Sequence, residues 1–343
     1  MAADQHSDGN ARAVVDVITG TWRAQALHAA VALRIPDHIA AGHASSAELA
    51  EQTGATEDGI ERLMRLLVAM GVFGGSGSAD GYRLTGVSEL LRTGAPDSLR
   101  DMVQIYGEEF HQAWGSFLPA IVSGRSGFEH AFGTKLGEYL AEEQAAGAKF
   151  QRAMNAGSAF FAEVPKVFDF SRCATVVDVA GGSGALLATV LRASPATHGV
   201  LFDLPHAAPI ARRHLGDAFP ADRFDVLAGD VFEAVPPGAD GYLLSRVLQD
   251  WNDSACVALL SNCRKAMPDS ARLLILERVI PDDSSVSRAR QLPLLWDLHL
   301  LTMVGGRQRT LDGYRSVLNG AGLRLEAVHS LALETNLLVA VRG

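Results

Sequence analysis

Three glycines that follow directly on an apolar run are the residues of this chain best suited to ligand chemistry. Gly181, Gly182 and Gly184 close the sequence VVDVAGGSG at 176–184. Glycine lets a ligand approach the backbone closely, and the first N–H groups of the helix that follows carry partial positive charge. The pattern therefore predicts a nucleotide-type pocket at the carboxyl end of a buried parallel strand.

The spacing of these glycines discriminates between nucleotide cofactors. The dinucleotide fingerprint is G-x-G-x-x-G, but Leu187 stands where the third glycine would follow Gly182 and Gly184. This difference disfavours NAD and favours S-adenosylmethionine (SAM), which has no pyrophosphate to bind. A glycine-rich turn without a ligand remains the alternative at this point.

Two aspartates strengthen the prediction of a ligand site. Asp203 ends the apolar run GVLFD, about 20 residues after the glycines, where a carboxylate can accept both ribose hydroxyls. Asp230 follows the next strand in AGDVF, where it can accept an adenine amino group while Phe232 packs on the ring. Either aspartate alone is equally typical of a helix cap or turn, but two at successive strand ends favour ligand binding.

The elements that must position these residues alternate between strands and helices after residue 171. We predict strands at 175–180, 199–203, 224–228, 241–246, 272–277, 323–329 and 335–341, and helices at 184–193, 206–215, 254–266 and 311–320. This order is typical of a doubly wound, mostly parallel sheet. The last two strands are so close in sequence that they should form a hairpin, which makes the last strand antiparallel.

The amino-terminal part reads as helix, turn, helix and hairpin, the pattern of a winged helix. We expect a disordered tail at 1–12 and a winged-helix-like domain at 13–100, in which Ser46 and Thr56 cap successive helices and Gly71 ends the second. The first turns of that second helix are mainly acidic, whereas contacts with DNA need a basic face. Dimerisation is therefore favoured over DNA binding.

Residues 101–170 read as helices rich in aromatic residues. We interpret them as a helical connector that also contributes to a pocket for a flat apolar ligand, and residues 171–343 as the SAM-binding catalytic domain.

Composition limits the classes of protein to consider. The 343 residues are 48% hydrophobic and carry a net charge of −9, which argues against nonspecific nucleic-acid binding. We expect neither a signal peptide nor a membrane span, because no apolar run approaches the ~20 residues that a span needs. Three cysteines without metal-ligand spacing fit a reducing cytoplasm.

Taken together, these segments resemble the caffeate/hydroxyindole-type SAM-dependent small-molecule O-methyltransferases of bacteria and plants. The resemblance covers nearly the whole chain and rests on VVDVAGGSG, VLFDLPHA, AGDVFEAVPPGADGYLLSRVLQDWND, LLILERVIP and DLHLLTMVGGRQRT. It implies a Rossmann-like α/β methyltransferase domain, an all-α winged-helix-like dimerisation domain, and a homodimer formed through the latter. It also implies SAM as the cofactor and no bound metal.

The same resemblance assigns residues by motif position. SAM would be bound by Ser158, Asp178, Gly181, Gly182, Gly184, Asp203, Leu204, Asp230, Val231, Phe232, Ser245, Arg246 and Trp251. The methyl acceptor would be bordered by Trp114, Met154, Trp296, Asp297, His299 and Met303.

The chain departs from the family at the catalytic base. The family's base is a histidine in a Leu-His-Asp-Trp segment, and here Gln249 occupies that position. Of the two glutamates that support the histidine, one is retained as Glu277 and the other is Gln308. An amide cannot take a proton at neutral pH. Glu277 acting as base and Glu277 orienting Gln249 remain open alternatives, and His299 is the nearest replacement base in sequence.

The loss of this base does not exclude methyl transfer. A general base contributes ~10²–10⁴-fold, whereas positioning supplies effective molarities of ~10⁵–10⁸ M. We therefore predict a SAM-dependent methyltransferase for a small aromatic or polyketide-like secondary metabolite with an acidic hydroxyl, carbon or nitrogen acceptor. One alternative is a SAM-binding enzyme that catalyses hydroxylation, decarboxylation or a pericyclic step. The other is a non-enzymatic winged-helix regulator.

Overall fold

The computed structural model describes residues 2–77, 80–95, 97–281 and 291–343. The chain divides into two compact units, one of Met1–Gln112 and Tyr139–Gly157, and one of Ala113–Glu138 and Ser158–Gly343. The helical segment predicted as a connector at 101–170 is thus shared between them, because its helix at 144–156 packs against the helix at 100–107 of the first unit.

The elements run in the following order. Up to residue 157 they are α1 Ala2–Ile18, α2 Gly20–Ala32, α3 Ile35–Ala40, α4 Ser46–Thr53, α5 Glu57–Ala69, β1 Phe73–Gly75, β2 Tyr82–Leu84, α6 Gly86–Glu89, α7 Arg100–Gly107, α8 Glu109–Trp114, α9 Phe117–Ser123, α10 Gly127–Phe132, α11 Leu136–Glu142 and α12 Gln144–Ala156. The remainder are α13 Val164–Val167, β3 Thr175–Val179, α14 Ala185–Ala193, β4 His198–Asp203, α15 Ala208–Gly216, β5 Phe224–Ala228, β6 Gly241–Ser245, α16 Asp253–Ala266, β7 Arg272–Ile280, α17 Leu292–Val304, β8 Arg309–Thr310, α18 Leu311–Gly320, β9 Leu323–Ser330 and β10 Thr335–Arg342. Short 3₁₀ turns join several of them.

The start of the chain corrects one prediction. A disordered tail was expected at 1–12, but α1 begins at Ala2. The second half of this helix carries an Arg12–Asp16 pair at 3.4 Å with i,i+4 spacing, which stabilises a helix in water. The tail interpretation was therefore wrong, since a polar segment with such pairs can still be helical.

The predicted helix-turn-helix-hairpin pattern of the first unit is confirmed. Thr56 caps α5 by accepting a hydrogen bond from the Gly59 N–H at 3.1 Å. The cap of α4 is Ser45, not the predicted Ser46, because Ser45 forms a capping box with Glu48. Ser46 is buried instead and its hydroxyl lies 3.2 Å from the Tyr82 hydroxyl. Strands β1 and β2 pair antiparallel as the hairpin.

The second unit is built on one large sheet with the strand order β5-β4-β3-β6-β7-β10-β9. The first five of these strands are parallel, and β10 lies antiparallel between β7 and β9. All predicted strands and helices of this sheet are present, with bounds that differ by at most three residues. Strand β7 exceeds its predicted range by the most residues, because it continues to Val279 and Ile280, which pair with β8.

Both faces of the sheet are buried under helices. Consecutive residues of a strand point to opposite faces, so Leu243 packs with Leu187 of α14 whereas Leu244 packs with Leu260 of α16. Full burial of each such side chain contributes ~1.5–3 kcal/mol. The strand order reverses between β3 and β6, and ligands of such sheets bind in the crevice at this point.

Among the described residues, no helix has both the length and the apolar character that crossing a bilayer requires.

Candidate functional site

The glycine loop between β3 and α14 needs its three glycines for different reasons. A Cβ on Gly181 would lie 2.6 Å from the Asp178 carboxyl carbon. Gly182 has a φ of +57° and faces open space. Gly184 has a φ of +80° as the residue preceding α14, and a Cβ there would approach a Leu201 methyl group to 3.0 Å. The loop thus leaves its backbone accessible beside the start of a helix.

Asp203 ties the ends of β3 and β4 together. Its Oδ2 accepts a hydrogen bond from the Gly182 N–H at 2.7 Å, and its Oδ1 accepts one from the Leu204 N–H at 2.6 Å. The structure therefore brings Asp203, Leu204 and the glycine loop together, as predicted for a ribose-binding carboxylate.

Two buried polar atoms lie at the carboxyl ends of β3 and β6. Within the part of the chain that the structure describes, neither the Asp178 Oδ2 nor the Ser245 Oγ has a hydrogen-bond partner. Burial, with the Asp203 charge as a second cause, raises the pKa of Asp178 to about 7. Unsatisfied buried polar groups are costly, so these atoms fit a site completed by a polar ligand such as SAM.

Arg246 and Ser158 also meet, although 88 residues separate them. The Arg246 guanidinium donates to the Ser158 hydroxyl at 2.9 Å and lies over the rings of Phe160 and Phe161. The Arg246 backbone has a φ of +57° and its N–H donates to the Leu276 carbonyl. This pair offers a cation and a hydroxyl at one point, which suits a carboxylate.

The predicted adenine-binding residues form a second group. The Asp230 carboxylate accepts a hydrogen bond from the Phe232 N–H at 2.8 Å. The Phe232 and Trp251 rings meet edge to face with centroids 4.8 Å apart. Asn262, which the sequence gave no reason to select, donates to the carbonyls of both Val231 and Phe232 at 2.9 Å and fixes this loop.

The three members of the predicted acid–base set converge on the 3₁₀ turn Leu248–Asp250. The Gln308 Nε2 donates to the Gln249 Oε1 at 3.1 Å. The Glu277 Oε1 accepts hydrogen bonds from the Leu248 N–H at 2.9 Å and the Gln249 N–H at 3.3 Å. The set is thus assembled, but its two amides are bonded to each other.

Glu277 is almost fully buried, and this burial raises its pKa to about 8, with the neighbouring Asp250 as the second cause. At neutral pH it is therefore mainly protonated and uncharged. Since Glu277 Oε1 binds the backbone of the turn, the geometry favours its orienting role over its role as base.

Asp250 is a functional candidate that the sequence analysis quoted but did not select. It ends the 3₁₀ turn, directly after Gln249. The surrounding protein raises the pKa of its carboxyl to about 7, against the opposing effect of the Arg246 guanidinium. Only the neighbouring glutamine, in place of a histidine, could have drawn attention to it.

The segment at 307–309 holds the turn Leu248–Asp250 in place. The buried Arg309 guanidinium donates to the Leu248 carbonyl at 2.9 Å, to the Trp251 carbonyl at 2.7 Å and to the Asp253 carboxylate at 2.9 Å. The Arg307 N–H donates to the Gln249 carbonyl at 2.8 Å. Arg309 is a positioning residue that the sequence analysis quoted within GGRQRT but did not select.

The predicted acceptor-binding residues of the second unit gather around His299. The Trp114 indole N–H donates to the His299 Nδ1 at 3.3 Å, and the Trp296 ring meets the imidazole edge on at 5.2 Å. Burial, with the Arg278 charge as a second cause, lowers the pKa of His299 to about 3. A neutral imidazole whose Nδ1 already accepts a hydrogen bond is a poor proton acceptor, which disfavours His299 as a replacement base.

The remaining predicted residues take different positions. The Asp297 Oδ1 accepts a hydrogen bond from the Gln308 backbone N–H at 2.7 Å, which links α17 to the catalytic set. Met303 is buried on the same helix. Met154 lies on α12, in the first unit. Over the described ranges, no three His, Cys, Asp or Glu side chains are grouped as metal ligands.

Comparisons with known families match both parts of the chain. A family described as the O-methyltransferase domain matches residues 114–324. A second, described as the O-methyltransferase dimerisation domain, matches residues 15–94.

Curated relatives and solved structures agree with these matches. A 3-amino-4-hydroxybenzoate 4-O-methyltransferase from Streptomyces cremeus is 42% identical over 97% of this chain and 90% of its own length. A phenazine-1-carboxylate N-methyltransferase from Pseudomonas aeruginosa is 40% identical over 97% of this chain and 98% of its own.

Two solved structures extend the comparison, and the second of them contains cofactor and ligand. The pyocyanin biosynthetic protein PhzM superposes with a TM-score of 0.88 at 39% identity, covering 98% of this chain and 99% of its own. The neocarzinostatin O-methyltransferase NcsB1, solved with SAM and 2-hydroxy-5-methyl naphthoic acid, has a TM-score of 0.76 at 30% identity over 93% and 96% of the two chains.

Proposed function

Because the chain belongs to the O-methyltransferase family with an amino-terminal dimerisation domain, we propose that it methylates an acidic hydroxyl or a nitrogen of a small aromatic metabolite without a base at residue 249. It is a SAM-dependent methyltransferase of secondary metabolism. What is proposed here concerns the acceptor and the chemistry of the site.

The observation that carries the proposal is the hydrogen bond between the Gln308 and Gln249 amides. In the family, the corresponding position supplies a histidine that removes the acceptor's proton. Here neither amide takes a proton, and the buried Glu277 mainly retains its own at neutral pH. Groups that need little or no deprotonation, such as acidic phenols, enols and aromatic nitrogens, are therefore the acceptors that this site suits.

The residues that would hold the cofactor are those brought together at the strand ends. Bound SAM supplies an electrophilic methyl group on a positively charged sulfur. Arg246 and Ser158 would bind its carboxylate, Asp203 its ribose hydroxyls, and the Phe232–Trp251 pair its adenine. Asp178 and Ser245 would offer their unsatisfied oxygens to its remaining polar atoms.

Aromatic side chains support a flat acceptor. Trp114 and Trp296 each contact His299 in the second unit, and Arg278 lies 4.5 Å from the centre of the Trp296 ring. Aromatic side chains grouped in this way bind planar rings well. The names of the relatives, an aminohydroxybenzoate and a phenazine carboxylate methyltransferase, support the same class of acceptor for this chain.

The dimerisation domain supports a homodimer. Helix α1 and the start of α2 expose Val14, Val15, Val17, Ile18 and Trp22, the last two at 57% and 65%. A contiguous apolar surface of this kind is typical of a protein interface. The acidic start of α5 gives no support to nucleic-acid binding. Three buried free cysteines support a reducing, cytoplasmic location.

The test is to incubate the protein with SAM and a panel of phenols, catechols, enols and aromatic amines, and to measure S-adenosylhomocysteine and product by mass spectrometry. We expect S-adenosylhomocysteine and a methylated product in equal amounts, with acidic acceptors turned over fastest. An acceptor that changes mass without S-adenosylhomocysteine release would instead support the alternative of a non-methylating enzyme on this scaffold.

A further inference from the structure

We propose that the Gln249 amide presents an N–H group to the acceptor and thereby selects acceptors in their unprotonated form, an aromatic oxyanion or a ring nitrogen with a free lone pair. Gln308 sets this orientation as a positioning residue. The inference rests on the proposed function, since it concerns the acceptor of the same methyl transfer.

The hydrogen bond with Gln308 sets the orientation of the Gln249 amide. The Gln308 Nε2 donates to the Gln249 Oε1 at 3.1 Å. The Gln249 NH₂ group is therefore at the end away from this bond, and a reversed amide would bring two NH₂ groups together.

Other groups contact Gln308 on the side away from Gln249. Its side chain is buried, and its Oε1 lies 3.5 Å from the Tyr314 hydroxyl, which also donates to the Arg278 carbonyl at 3.2 Å. Its backbone N–H donates to the Asp297 carboxylate at 2.7 Å. Gln308 is therefore held in place on the side away from Gln249, with its NH₂ group toward the Gln249 oxygen.

The consequence is a preference between two forms of one acceptor. The Gln249 NH₂ group carries two hydrogens, and the bond with Gln308 uses neither of them. Either can be donated to an oxyanion, and hydrogen bonds to charged groups contribute more than neutral ones. Among the charged groups near the turn, Arg309 and Arg246 favour an anion, Asp250 opposes it only in its ionised form, and Glu277 is mainly uncharged at neutral pH.

The experiment uses two phenols of the panel whose pKa values differ and which the wild-type protein methylates, and follows kcat/KM against pH. We expect kcat/KM to fall by about tenfold per pH unit below an inflection. That inflection should lie at the pKa of each phenol and move with it. An inflection that stays near pH 7 for both phenols would mean that Asp250 or another group of the protein removes the proton, and would overturn the proposal.

Variants of the two glutamines separate orientation from folding. Gln308→Glu replaces the donor with an acceptor, so the Gln249 amide should reverse and kcat/KM for ionised phenols should fall about 10- to 100-fold at unchanged SAM affinity. Gln249→Met keeps the side-chain volume without the N–H and should show a similar loss. Gln52→Glu, the same change at an exposed position, should have no effect.

Two results would contradict this assignment. Wild-type rates with ionised phenols in both Gln308→Glu and Gln249→Met would show that the amide does not contact the acceptor, while methyl transfer itself would stand. The absence of any methylated product across the whole panel would instead remove the proposed function, and the inference with it.

Discussion

At the scale of single residues, the site is unusual in how little charge its catalytic set carries. Gln249 and Gln308 are amides, burial keeps Glu277 mainly protonated at neutral pH, and burial also keeps His299 neutral. A fixed charge near the turn is instead the Arg309 guanidinium, whereas Asp250, whose pKa is raised to about 7, is only partly ionised at neutral pH. Such a set orients an acceptor well and deprotonates it poorly, which is why the acidity of the acceptor should govern the rate.

The protonation state of Glu277 can be tested through the pH dependence of the protein's stability. Because burial raises its pKa from 4.5 to about 8, the folded protein holds a proton that the unfolded chain releases. The resulting stability is present below pH 4.5 and is lost as the pH rises toward 8, by at most about 1.4 kcal/mol per pH unit.

We therefore expect the free energy of unfolding in urea to fall by about 2 kcal/mol more for wild type than for Glu277→Gln between pH 5.5 and 7.5. Glu51→Gln, at an exposed position, is the control and should behave as wild type. Parallel pH dependence in wild type and Glu277→Gln would mean that Glu277 is ionised in the folded protein.

The sequence could predict the identity of the site residues better than their bonds. The glycine loop, Asp203 and Asp230 follow apolar strand runs, so their common position at one sheet edge was foreseeable. The bond between Gln249 and Gln308 was not, because 59 residues separate them and only the packing of β8 against β7 brings them together. Asn262, Arg309 and Tyr314 were missed for the same reason.

At the scale of elements, the segment at 306–309 acts as a support for the turn Leu248–Asp250. The Arg307 N–H and the Arg309 guanidinium bind carbonyls of the turn or its flank. Gly306 lies so close that a Cβ would collide with the Gln249 carbonyl oxygen. The position of Gln249 therefore depends on a glycine that does not itself meet the acceptor.

Gly306→Ala tests this support. The added methyl group should displace the Gln249 carbonyl and weaken its bond with Arg307, so we expect kcat to fall by about tenfold or more while SAM affinity in calorimetry is retained. Gly137→Ala adds the same group in a helix with nothing within 4 Å, and should leave kcat unchanged. Equal activity of the two variants would show that the turn tolerates displacement.

Elements were predictable where burial dictated the residue types. The central strands β3, β6 and β7 are rich in buried Val, Leu and Ile, and the seven strands in the main order of the sheet were predicted within a few residues. The first turns of helix α1 were missed because residues 2–12 are mainly polar, so nothing in them distinguished a helix from a tail. The backbone hydrogen bonds that form this part of the helix are local, so the spacing of apolar residues does not reveal them.

At the scale of the whole molecule, the two units carry different tasks. The second unit holds the sheet and the assembled site, whereas the first matches the family's dimerisation domain. Helix α1 exposes Val14, Val15, Val17 and Ile18 together, whereas a monomer normally exposes apolar side chains singly. We attribute this exposure to an interface with a second copy of the chain.

Light scattering should accordingly show a dimer for the wild-type protein, and Val17→Glu should raise its dissociation constant by about tenfold or more, because a carboxylate would be buried in the interface. Val328→Glu, on an exposed position of β9, should remain dimeric. A wild-type monomer, or a Val17→Glu variant as dimeric as wild type, would place the interface elsewhere.

The central claim is methyl transfer from SAM to an acidic aromatic acceptor by a site without a histidine base. In the most direct measurement, the protein is incubated with the acceptor identified in the panel and with SAM whose methyl group carries three deuterium atoms. The masses of both products are then measured by mass spectrometry. We predict an acceptor heavier by one CD₃ in place of hydrogen, with an equal amount of S-adenosylhomocysteine. A product that lacks deuterium, or that forms while SAM remains intact, would contradict the account.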